Sequence, residues 1–178
     1  NVSHVTVTVN TLDADIGAKI YAWARYRRKM YRGVDAARII MQNQMDGILK
    51  IKALGVTVKV NTVVIPGINE DHVLDIAGTM KKIGVDIMNC IPMYRIEGTV
   101  FEAIAPPAHS VIAELRRQAW MYIPQMAHCS RCRADAAGLI GRSLDGGIRE
   151  LLEKASQFKP AQNRPYVAAA SREGLFVN

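Results

Sequence analysis

The sequence predicts an α/β fold built on a parallel sheet. Three observations predict it. Runs rich in β-branched residues at HVTVTVN (4–10), VTVKVNTVVIPG (56–67) and VDIMNCIPM (85–93) read as strands. The segments between the last two pairs repeat their apolar residues at helical spacing. The resulting order of strand, helix, strand, helix, strand is that of βα units.

The elements follow in order. The first strand alternates with period two and runs into a loop carrying DADIGAK, then the basic stretch RYRRKMYR, Arg25–Arg32. Residues 34–54 read as a helix, with Ala37, Ile40, Met41, Gln44, Met45, Ile48, Ile51 and Lys52 on related turns and Gly55 closing it. The second strand ends in a Pro66–Gly67 turn. Asn69 is placed to cap the next helix, with Glu70 and Asp71 in its first turn to complement the dipole. Val73, Leu74, Ile76, Ala77, Met80 and Ile83 form that helix's apolar stripe, and Gly84 ends it. After the third strand, 108–124 reads as a helix, followed by the cysteine turn HCSRCRADA, His128–Ala136. A helix near 144–157, a linker over 157–165 and a strand–turn–strand start in YVAAASREGLFVN complete the chain. The expected organisation is one α/β body over 1–143, a helix and linker over 144–163, and the start of a second α/β domain over 164–178. Both ends fall inside strand-like patterns, so the chain is expected to be cut from a longer one.

Composition narrows the class. Of 178 residues, 49% are hydrophobic and 22% charged, which is ordinary globular composition. No apolar run is long enough to span a membrane, and no charged-then-apolar leader opens the chain. The net charge is +7, much of it in Arg25–Arg32 with aromatics interleaved. Three readings of that stretch stand: a nucleic-acid surface, a solvated helix or loop face, and a basic lid over an anionic ligand. Trp23, Tyr26 and Tyr31 read as core at their spacing, with packing on a lid as the alternative.

Alternation within the strands locates a candidate site. Val5, Val7 and Val9 share one face of the first strand, and His4, Thr6, Thr8 and Asn10 the other. In the second strand Val58, Val60, Thr62 and Val64 oppose Thr57, Lys59, Asn61 and Val63. The valine faces are expected to pack under helices. The polar faces need partners, which a bound polar ligand would supply, or else solvent at an incomplete sheet. Ligands of such folds sit at the C-terminal ends of the strands, where Asn10, Asn61 with IPGIN, and the IPM of the third strand lie.

Three cysteines make no disulfide framework, and a reducing compartment with metal or redox chemistry fits them better. Cys129 and Cys132 form a CxxC turn that can direct two thiolates at one iron–sulfur cluster or one zinc ion. Arg131 and Arg133 would stabilise thiolates, and Asp135 could hold one of those arginines by a charge-assisted hydrogen bond. Cys90 reads as a small buried hydrophobe. His128, His4, His72 and His109 read as structural. No Ser/His/Asp set, paired catalytic carboxylates or Gly-rich phosphate loop is present, and DGG at Asp145–Gly147 is a turn.

Taken together, TVTVN, GAKIYAW, YRG, KVNTVVIPGIN, IPM, GTVF and CSRCRADAAGLIG resemble, in this order, the NifB family of nitrogenase-cofactor maturases. The likeness covers about residues 3–141, and the tail RPYVAAASREGLFVN resembles the opening of a dinitrogenase iron–molybdenum cofactor-binding domain. The resemblance implies the C-terminal half of a partial TIM-like barrel in a radical S-adenosylmethionine (SAM) enzyme of lyase type. Such enzymes fuse two 4Fe-4S clusters, with a carbide from the SAM methyl group and an added sulfur, into the iron–sulfur core that precedes the FeMo cofactor. It implies that Cys129 and Cys132 ligate one substrate cluster, that Thr8, Asn10, Asn61 and Ile65 border SAM, and that Pro66 and Gly67 shape that pocket. It implies cytoplasmic partners that donate clusters or carry the cofactor in nitrogenase assembly, and neither nucleic acid nor membrane. The family's CxxxCxxC is absent from these residues, so the ligands of the SAM-cleaving cluster are expected upstream, and the piece alone is expected to be inactive and marginally stable.

Overall fold

Val-rich strands and the helices between them assemble as βα units in residues 2–126, which with Glu150 are the residues that the computed structural model describes. The elements are β1 (His4–Thr8), α1 (Ala14–Ile20), β2 (Trp23–Tyr26), β3 (Lys29–Arg32), α2 (Gly33–Ala53), β4 (Thr57–Val64), α3 (Val73–Lys82), β5 (Ile87–Pro92) and α4 (His109–Trp120). Strands β1, β4 and β5 form one parallel sheet in the order β1-β4-β5. Its register sets Thr8 beside Asn61 and Asn61 beside Asn89. After α4 the chain returns alongside β5 as a further parallel bridge. The Met88 N–H donates to the Pro124 carbonyl at 2.8 Å, and the Met126 N–H to the Met88 carbonyl at 2.7 Å.

The core lies on the valine face, as the alternation requires. Val9, Val58, Val60, Val64, Met88 and Cys90 from the strands meet Ile48 of α2, Val73, Ile76 and Met80 of α3, and Ile112 and Ala119 of α4. Each fully buried aliphatic side chain contributes about 1.5–3 kcal/mol relative to exposure. Asp86, just before β5, ties the opposite end of the sheet. Its carboxylate accepts from Lys52 Nζ and from the Val58 N–H, both at 2.7 Å.

Several expectations need correction. DADIGAK is mostly helix rather than loop: Asp13 caps α1 by accepting from the Asp15 and Ile16 N–H groups at 2.8 and 2.9 Å. Two backbone N–H donors on one carboxylate hold Asp13 below its usual pKa. Within α1, a Cβ on Gly17 would stand 2.7 Å from Ala37 Cβ, so glycine is what lets α1 lie against α2. The basic stretch is an antiparallel β-hairpin, β2–β3, with Arg27 and Arg28 at its turn. Trp23 and Tyr26 are exposed there, not core. The strands are shorter than their apolar runs, and helix 108–124 ends at Trp120, with 124–126 joining the sheet. Asn69 makes no side-chain cap: a 3-10 turn over Glu70–His72 precedes α3, and the Asn69 side chain is used elsewhere. The cysteine turn, the helix near 144–157, the linker and the second domain lie outside the described residues.

Candidate functional site

The C-terminal rim of the sheet is pinned by side chains that take over the backbone ladder where the strands stop. The Asn69 amide is buried between β1 and β4. Its oxygen accepts from the Ile65 N–H at 2.7 Å, and its nitrogen donates to the Asn10 and Val63 carbonyls, each at 2.8 Å. Asn10 Oδ1 accepts from the Val63 N–H at 2.9 Å, and Thr62 Oγ1 donates to the Val9 carbonyl at 2.7 Å. Ile65-Pro66-Gly67-Ile68 closes as a turn with the Ile68 N–H on the Ile65 carbonyl at 3.1 Å. Gly67 takes φ 69° there, the conformation a type II turn demands after proline. The chain is thereby redirected into α3 without loosening the strand ends.

Above this rim, on the face opposite the core, lies a cavity of about 570 Å3. Asn10, Val63, Ile65, Ile91 and Met93 line its floor, all on one side of the sheet by strand alternation. Ile20 of α1 and Tyr94, Ile96 and Phe101 of the segment after β5 complete the wall. One row deeper on the same face is Thr8–Asn61–Asn89. Asn61 and Asn89 are buried, at 4% and 1% exposure. Neither the oxygen nor the nitrogen of the Asn89 amide has a hydrogen-bond partner among the described residues. Left unpaired, such a group costs about 1–3 kcal/mol, so its place in the fold calls for a partner.

Of the residues expected here from sequence, Asn10 and Ile65 line the cavity, while Asn61 lies one row away beside Thr8 and Asn89 and is not part of the lining. Thr8 shares their face at the exposed edge strand, and Pro66 and Gly67 form the turn behind Ile65 without lining the cavity. Cys129 and Cys132 lie outside the described residues. Asn69 and Asn89 were not foreseen in these roles. For Asn89 the signal was present: a lone amide on the Ile87–Ile91 side of an otherwise apolar strand. Cys90 projects to the opposite face, into the core, where burial pushes its thiol up to about 11 against the pull of the Arg116 guanidinium. His72 is structural. Its Nε2 accepts from the Leu12 N–H at 3.1 Å and its Nδ1 faces Asp75 Oδ2 at the same distance. Among the described residues no three His, Cys, Asp or Glu side chains converge on a metal-sized point, and no helix is long and apolar enough to cross a membrane.

No family model matches the chain. Individual relatives do. It is 45% identical to the FeMo cofactor biosynthesis protein NifB of Chlorobaculum tepidum over 99% of this chain and 42% of that protein. It is 42% identical to NifB of Klebsiella pneumoniae over 79% of this chain and 31% of the relative. With NifB of Methanocaldococcus jannaschii it shares 40% over 79% of this chain and 46% of the relative. The chain belongs to the NifB family. It spans less than half the length of these NifB relatives. The match to the Chlorobaculum tepidum NifB takes in nearly the whole chain, so its span includes the positions of the rim residues and of Cys129 and Cys132.

Proposed function

We propose that this chain is part of a radical SAM enzyme in FeMo cofactor biosynthesis. The enzyme fuses two 4Fe-4S substrate clusters, with a SAM-derived carbide and an added sulfur, into the iron–sulfur core of the nitrogenase cofactor. The observation that carries the reading is the 45% identity to a NifB across 99% of the chain. The sheet supports it: β1, β4, β5 and the segment at Gln125 read as consecutive strands of a TIM-like barrel, whose sites lie at the C-terminal rim.

SAM fits the rim cavity. About 570 Å3 lies within the roughly 300–1,000 Å3 of small-molecule sites. The apolar floor suits a nucleoside face, and Asn10 and Tyr94 bring polar atoms to the lining. SAM, when bound, supplies the methyl carbon and the radical chemistry; the residues of this chain bind it, orient it and exclude water. Cys129 follows Met126 by three residues in the sequence. Two thiolates with Arg131 and Arg133 beside them suit an anionic substrate cluster. In this reading the enzyme is cytoplasmic, of lyase type, and works with cluster donors and cofactor carriers of nitrogenase assembly.

The test uses a chain of the relatives' full length carrying these residues, purified anaerobically and reconstituted with iron and sulfide. Cys129→Ala and Cys132→Ala are expected to remove one cluster's worth of iron and leave SAM cleavage in place. Unchanged iron, with zinc bound at the turn, would make CSRC a structural staple and overturn the cluster assignment.

A further inference from the structure

We infer that the hairpin β2–β3 is a docking surface for an acidic protein partner. Its register pairs Trp23 with Arg32 and Arg25 with Met30. Alternation puts these four side chains on one face, two cations on one diagonal and two apolar groups on the other. Trp23 is 54% and Met30 55% exposed, while Ala24, on the opposite face, is buried. The turn adds two more cations under strain. Arg27 and Arg28 stand at φ 48° and 66°, the left-handed pair of a two-residue hairpin turn where Asn-Gly is the favoured sequence. Backbone strain of this kind points to a role beyond closing the turn.

Two of the cations stack on neighbouring tyrosines, which leaves their charge unneutralised. The Arg27 guanidinium lies 5.3 Å from the Tyr26 ring centre, and Lys29 Nζ 5.6 Å from that of Tyr31. None of the five hairpin cations forms an ion pair among the described residues. The charge is also local. Residues 2–126 carry 15 Lys and Arg against 11 Asp and Glu. The hairpin holds five of those cations and no acid, which leaves ten against eleven elsewhere.

That distribution selects the partner. Nucleic acid is bound by charge spread along a face or groove. Here the charge ends with two four-residue strands, about 13 Å of extended chain. Half of the exposed face is Trp and Met, and aromatic residues, Met and Arg are the types enriched at protein interfaces. A second copy of the chain is disfavoured by its own net +7. The complementary surface is therefore a protein patch rich in carboxylates around an apolar depression. This inference stands whether or not the rim cavity binds SAM.

The experiment measures fluorescence anisotropy of the 178-residue chain with three labelled probes: polyglutamate, an acidic peptide of equal charge interspersed with Leu and Phe, and a short DNA duplex. The mixed peptide is expected to bind most tightly. Trp23→Ala should weaken it about tenfold while leaving polyglutamate unchanged. Replacing the turn by Arg27→Asn with Arg28→Gly should weaken both peptides roughly three- to tenfold. Because Asn-Gly suits that turn, the melting temperature should hold or rise, so lost binding is not lost folding. Tighter binding of DNA that depends on the same residues would overturn the proposal in favour of a nucleic-acid surface. Equal binding of the two peptides, or indifference to the hairpin variants, would reduce the hairpin to unspecific charge and also overturn it.

Discussion

On the helix-covered face of the three-stranded sheet, Val9, Val58, Val60, Val64 and Met88 are completely buried and meet Ile48, Ile76 and Met80. On the other face, at the same strands, lie a cavity of about 570 Å3 and, one row away, the buried Asn89 amide, which has no hydrogen-bond partner among the described residues. One face is closed by its own side chains and the other is left to be completed. The difference teaches where each kind of residue spends its free energy. Period-two alternation assigns valine to the first face for packing, and polar groups to the second, where they are costly unless paired. The first face should govern stability and the second binding, and substitutions can separate the two.

The largest effect is expected in the core. Ile76→Ala should cost about 2–5 kcal/mol in urea unfolding, because the removed methyl groups leave a void among α3, β4 and their neighbours. Ile91→Ala, at the cavity floor, should cost less, since part of its surroundings is already empty. Equal costs would break the comparison, for they would mean that both faces are packed alike. Next in size is Asn69→Ala. It strands the Ile65 N–H and the Asn10 and Val63 carbonyls at once, for an expected loss of about 2–4 kcal/mol. Asn69→Asp, which keeps the acceptor and loses both donors, should lie nearer to Asn69→Ala than to the native chain.

How much of this was legible follows from which signal each part carries. The strands were legible from their β-branched runs, and α2 and α3 because apolar residues repeat at helical spacing over 21 and 10 residues, with Gly55 and Gly84 marking the helix ends at φ 72° and 80°. Helix α1 was not, because seven residues are too few to establish a period, and only Asp13 announces it. The hairpin was hidden because its turn is Arg-Arg in place of the Asn-Gly that signals such turns. Asn69 stands where a cap belongs, and local propensity says nothing of the three backbone groups, brought by two strands, that claim its amide instead. The parallel register that sets Asn61 beside Asn89 is a tertiary fact, so the sequence could offer Asn61 as a rim residue without showing its neighbour.

A middle-sized effect tests the open face directly. Asn89→Leu should stabilise the ligand-free chain by about 1–2 kcal/mol, because it removes a buried amide that has no partner among the described residues. In a chain of the relatives' full length, the same change should weaken SAM about tenfold or more by equilibrium binding. Destabilisation in the absence of ligand would show that the amide is satisfied within the fold, and the contrast between the faces would narrow.

The smallest effect belongs to Cys90, which sits one residue from Asn89 and on the opposite face. It belongs to the buried core cluster, and its thiol donates to Gln125 Oε1 at 3.5 Å. Burial favours the neutral form and raises the pKa from 9.0 to about 11. In the unfolded chain this thiol ionises near 9.0, whereas in the folded chain it holds its proton until about 11. Across that window the unfolded state binds fewer protons, so stability present below 9.0 should decline as pH rises towards 11. Cys90→Val should flatten this decline in urea midpoints measured at both ends of the window, and change stability little below it. A thiol reagent should leave Cys90 unmodified until the chain unfolds. Labelling of Cys90 in the folded chain would place it within reach of solvent and, for this one position, erase the distinction between the closed face and the open one.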